Sequence, residues 1–90
     1  MTRREEWKKV LQAELTRWSS MSCDTLLTEL QNRNVYEVVA ESRHYQVEVE
    51  LLEDTSEYLQ VNIAVDDGSL PASLHPESEN FICTKSKRSA

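Results

Sequence analysis

The hydrophobic period of this chain changes once, near residue 35, and that change limits what it can fold into. Before it, Trp7, Leu11, Leu15 and Trp18 fall at i, i+4, i+8 and i+11, with Val10 and Glu14 alongside. After it, apolar residues recur at every second position: Tyr36, Val38 and Ala40, then Tyr45, Val47, Val49 and Leu51, then Leu59, Val61, Ile63 and Val65. A helix returns to the same face every 3.6 residues and a strand every two. The chain therefore divides into a helical part followed by a sheet.

The spacing predicts a first helix over residues 4–19. Glu5 and Glu6 near its start and Arg17 near its end suit the helix dipole. A second helix fits residues 23–32, with Ser22 as N-cap, Asp24 in the first turn, and Cys23, Leu26, Leu27 and Leu30 as its apolar stripe. Met21, just before the cap, is placed to staple onto Leu26.

The three alternating runs predict three half-buried strands joined by short turns, hence an antiparallel meander. A two-residue loop at Ser42-Arg43 would pair Ala40 with Tyr45 and Val38 with Val47. A three-residue loop at residues 54–56 would pair Leu51 with Leu59 and Val49 with Val61. Both registers keep the aliphatic residues on one face, and a one-residue slip would scatter them over two. Beyond residue 66, Asp67-Gly68 signals a turn. Residues 69–76 suit one helical turn, Phe81–Thr84 suits a short fourth strand, and residues 85–90 read as a frayed tail. The expected fold is α+β: two N-terminal helices packed on one face of a three- or four-stranded antiparallel sheet, in a single small domain spanning residues 1–90.

Charge is unevenly spread. The net charge is −6, yet residues 35–80 hold eleven acidic side chains against Arg43 alone. Nucleic acid is excluded as a partner on this balance, because Glu5 and Glu6 interrupt the basic residues Arg3, Arg4, Lys8 and Lys9 and the second helix lacks side chains that read base edges. No apolar run is long enough for a membrane span, and the N-terminus lacks the apolar stretch of a secretory signal. Cytoplasmic placement is the expectation, and with it Cys23 and Cys83 are expected as reduced thiols.

No motif of a known chemistry is legible. His44 lies at the first hairpin and His75 in the later loop, without a nucleophile or orienting group at readable spacing. The two histidines and two cysteines show no zinc-ligand spacing, and Asp66-Asp67-Gly68-Ser69 does not continue into a calcium loop. The reading is no cofactor, no metal and no catalysis.

What remains is the sheet face turned away from the helices. The registers above align Glu37, Glu48 and Asn62 in one row and Val35, Glu50 and Gln60 in the next, with Val39, Gln46 and Ala64 in a third. Leu52 and Tyr58 lie beyond. Glu37 opposite Glu48 would be a like-charge pair, unfavourable for folding alone. The function expected is a small acidic protein-interaction module of the inhibitor, antitoxin, immunity or adaptor kind, binding a basic protein surface through Glu37, Glu48, Glu50, Tyr58, Gln60 and Asn62. The alternative is a self-associating structural domain whose sheets stack as a homodimer through Val35, Val39, Ala64 and Tyr58. A small enzyme built on carboxylates and a histidine ranks last.

Overall fold

The structure, a computed structural model, describes residues 3–41, 43–66 and 77–85. Helix α1 spans Arg3–Ser19 and α2 spans Cys23–Glu29. Strands β1 (Asn34–Ala40), β2 (Arg43–Asp54), β3 (Tyr58–Asp66) and β4 (Glu77–Thr84) follow. The strands form one antiparallel sheet in the order β1-β2-β3-β4, with the helices on one face. This is the α+β layout expected from the switch of period. The fourth strand is real and longer than the four residues expected for it. The helical turn expected at residues 69–76 and the tail after Lys85 lie outside the described residues. Among the described residues, no helix is long and apolar enough to cross a membrane.

The inner face of the sheet is the core. Tyr45, Val47 and Val49 of β2 and Leu59, Val61, Ile63 and Val65 of β3 are fully buried, under Trp7, Val10, Leu11 and Trp18 of α1 and Leu26 and Leu30 from α2 and its C-cap. Burying one such aliphatic side chain contributes roughly 1.5–3 kcal/mol. Aromatic side chains also fasten α1 through their polar ends. The Trp7 Nε1 donates to the Val65 carbonyl oxygen at 2.6 Å, and the Tyr45 hydroxyl donates to Glu6 Oε1 at 2.5 Å.

Helix α2 starts as its sequence requires. The Ser22 hydroxyl accepts a hydrogen bond from the Thr25 backbone N–H at 3.1 Å. It ends at Glu29, with Leu30 as C-cap, rather than running to residue 32.

Both hairpin registers differ from expectation by two residues, which leaves the side chains on their expected faces as far as Leu51. β1 pairs Val38 with Tyr45 and Tyr36 with Val47, so the first hairpin closes at the Ala40–Arg43 pair. Glu41 there takes φ 54°, the left-handed region that primed hairpin turns demand and that a glutamate side chain disfavours. β2 pairs Val49 with Ile63 and Leu51 with Val61, and a bulge between Leu51 and Glu53 shifts the pairing beyond it. The second turn is held by Thr55, whose hydroxyl oxygen accepts from the N–H groups of Glu57 at 3.1 Å and Tyr58 at 3.0 Å. Lys85 closes the same end: its ammonium donates to Asp54 Oδ1 at 2.7 Å and to the Thr55 carbonyl oxygen at 2.5 Å.

The cysteines are joined, correcting the expectation of reduced thiols. The first residue of α2 lies over the end of β4, with 6.1 Å between the Cα atoms of Cys23 and Cys83, and the two form a disulfide. A compartment preference carries no information on topology, and it is the topology that brings these two positions together.

Two stability changes follow. Reducing this disulfide opens a loop of 60-residue separation and should cost about 2–4 kcal/mol, lowering Tm by at least ~8 °C. Calorimetry with and without reductant checks this, with Cys23→Ser/Cys83→Ser insensitive to reductant. Glu41→Gly should stabilise by roughly 0.5–1 kcal/mol through relief of the left-handed backbone, read as a higher urea midpoint at unchanged m.

Candidate functional site

Among the described residues, no helix covers the outer face of the sheet. Alternation and register assign to it Val35, Glu37 and Val39 from β1, His44, Gln46, Glu48 and Glu50 from β2, Gln60, Asn62, Ala64 and Asp66 from β3, and Asn80 and Ile82 from β4. Glu53 joins them because the bulge brings it opposite Gln60. The face thus carries the carboxylates of Glu37, Glu48, Glu50, Glu53 and Asp66.

The residues expected to form the site do share this face, in a different order. Glu37 lies opposite Gln46, not Glu48, so the expected like-charge pair is not formed. Glu48 lies between Val35 and Ala64. Glu50 lies beside Asn62, which continues to Asn80 of β4, and Gln60 lies between Glu53 and Ile82. Tyr58 pairs with Thr84 rather than Leu52. The physical reason is that burial fixes only which side chains go inward. A two-residue slip preserves that, and turn geometry and the bulge decide the offset.

Two of the carboxylates have a nitrogen partner. Arg33, just before β1, reaches Glu48 Oε2 at 2.8 Å, and His44 Nδ1 lies 3.2 Å from Glu37 Oε1. Both contacts are solvent-exposed, where an ion pair contributes at most about 1 kcal/mol. The Tyr58 hydroxyl donates to Glu53 Oε1 at 2.8 Å, and the adjacent carboxylate raises the Tyr58 pKa. Glu48 and Asp66, with Gln46 and Ala64, line a shallow concavity of about 110 Å³. Apolar groups are interspersed: Val39 is 61% exposed and Ile82 53%. Ile82 was missed in the sequence because Phe81–Thr84 gave no register to β3. Among the described residues, no three His, Cys, Asp or Glu side chains are grouped to hold a metal ion.

A second polar cluster lies on the helix side. Glu14 is 8% exposed and accepts a hydrogen bond from the Tyr36 hydroxyl, while Arg17 Nη1 lies 3.3 Å from Glu14 Oε1. Trp18 Nε1 donates to the Tyr36 oxygen at 2.7 Å, and the Arg17 guanidinium lies 5.4 Å from the centroids of both the Trp18 and Tyr36 rings. The signal for it was present, since Glu14 falls on the Trp7–Leu11–Trp18 stripe, where a carboxylate needs a buried partner. Burial, reinforced by the hydrogen bond to Glu14, pushes the Tyr36 pKa up to about 12. The cluster joins the C-terminal end of α1 to edge strand β1 and has the form of a structural tether.

No family model matches the chain, and no curated protein or solved structure matches it.

The tether has a pH signature. A tyrosine in the unfolded chain titrates near 10, so the contribution of Tyr36 is complete below that pH and lost as pH rises through about 12. Absorbance titration should find a phenol ionising near pH 12, a step absent in Tyr36→Phe. That variant should lose about 1–3 kcal/mol, because Glu14 and the Trp18 N–H keep their burial without their partner.

Proposed function

We propose that this chain is a non-catalytic protein-interaction module whose uncovered sheet face binds a basic surface of a partner protein. The observation that carries the reading is the convergence of five carboxylates, from Glu37, Glu48, Glu50, Glu53 and Asp66, on a face that no helix among the described residues covers. Arg33 meets Glu48 on that face and His44 meets Glu37. Antiparallel sheets often leave one face to water, but opposite charges across strands stabilise such a face and like charges do not.

Gln60, Asn62 and Tyr58 supply neutral hydrogen-bonding groups among the acids, and Val35, Val39 and Ile82 supply apolar area at the borders. Complementary charge of this kind mainly speeds encounter and selects the partner. Inhibitors, antitoxins, immunity proteins and adaptors that mask a basic surface work in this way. An oxidising compartment, rather than the cytoplasm expected above, is where a Cys23–Cys83 cross-link persists. The self-association alternative is disfavoured, because stacking two such faces would bring like charges together.

The experiment is a titration of isotope-labelled protein with oligolysine at about 50 mM and about 500 mM salt, spanning weak to strong screening. Shift changes should centre on Glu48, Glu50, Gln60 and Asn62, and fade at high salt. Glu48→Gln/Glu50→Gln should weaken binding roughly three- to tenfold. Salt-insensitive binding, or shifts centred on α1, contradicts the reading.

A further inference from the structure

Strand β1 is the last strand on its side of the sheet, with no neighbour beyond it among the described residues. Open edges invite pairing, and proteins ordinarily blunt them with charged side chains (lysine above all), proline, a bulge or a cover. β1 has no lysine, proline or bulge, and Glu37 is the one charged side chain in its sequence Asn-Val-Tyr-Glu-Val-Val-Ala. The opposite edge differs. The end of β4 is tied to α2 by the disulfide, and Lys85, just after β4, is tied to Asp54.

The flank of β1 is also unfilled on the helix side. α1 packs closest to β3 and β4, so Tyr36, Val38 and Ala40 stay half-buried while the inner residues of β3 are fully covered. Between α1 and β1 runs a groove of about 280 Å³, lined by Val10, Ala13, Val38 and Ala40, with Glu6, Glu14, Glu41 and Lys9 beside it.

We infer that β1 is a docking edge, at which an extended segment of the basic partner adds as a fifth strand. The inference rests on the function proposed above and names how the partner engages. Backbone pairing to Asn34–Ala40 supplies the affinity and alternate side chains the specificity. Every second side chain of the segment enters the groove and is a small aliphatic. The others lie on the outer face beside Val35, Glu37 and Val39, where Glu37 selects a lysine or arginine.

A second copy of this chain fits less well. Two β1 strands related by a two-fold axis, in the register that sets Val35 against Val39, set Glu37 against its own copy. That like-charge contact is unfavourable.

The test uses three nine-residue peptides and the full chain. One alternates valine with lysine, one has the same composition with the lysines grouped, and one replaces lysine by serine. The alternating lysine peptide should protect β1 amides from hydrogen exchange and bind at least about tenfold tighter than the grouped one. Ala13→Phe plugs the groove from an exposed helix position without changing charge, and should weaken that binding by a similar factor. Val38→Lys, an inward charge on the edge, should do the same. Equal binding of both lysine peptides, with no protection of β1, overturns the edge but leaves the acidic-face reading standing. Protection by the serine peptide equal to that by the lysine peptide keeps the edge and removes the basic partner. No binding by any peptide, or a concentration-dependent dimer closed through β1, overturns the inference.

Discussion

The burial of one face of β2 and β3 beneath α1 is the constraint on which the rest depends. Tyr45, Val47 and Val49, with Leu59, Val61, Ile63 and Val65, go inward together or not at all, because neighbouring strands share a pleat. Trp7 and Trp18 then fix where the helix lies, each through its ring and its indole N–H. Trp7 reaches the Val65 carbonyl and Trp18 the Tyr36 hydroxyl. A helix fastened near both ends by directional bonds has less freedom to slide over the sheet than one held by apolar contact alone.

The outer face inherits its character from that constraint. Once the aliphatic positions are inward, Glu37, Glu48, Glu50 and Asp66 have no other side to occupy. Folding tolerates their proximity because the Arg33 and His44 contacts relieve part of it and water screens the remainder. The same constraint leaves the edges unequal. Helix cover is centred on β3 and β4, so β4 is secured by a cross-link while β1 is left with a half-filled flank.

How far the sequence disclosed this follows from which physical quantities a pattern encodes. Period and parity are encoded in the alternation Tyr45-Gln46-Val47-Glu48-Val49, so the element order was legible, and so was the outer face of β1 to β3 apart from Glu53. Offset is not encoded there. It was set by the left-handed Glu41, by the hydroxyl of Thr55, and by the bulge at Leu51–Glu53. The expected Glu37–Glu48 contact was lost for that reason, although both residues lie on the expected face. Long-range pairing was still less accessible: Cys23 and Cys83 meet only because β4 completes the sheet beneath α2. Glu14 was visible on the apolar stripe of α1, but its partner Tyr36 belongs to a strand 22 residues away.

The orientation of β2 and β3 can be measured without any partner. A neutral paramagnetic agent added to the labelled protein enhances relaxation of groups that face solvent. The fold described here predicts strong enhancement for the Ala64 methyl and the side-chain amides of Gln60 and Asn62, and weak enhancement for the methyls of Val47, Val61 and Ile63. Strong enhancement of those methyls, with Ala64 and Asn62 shielded, would contradict the sheet orientation and remove the acidic face with it.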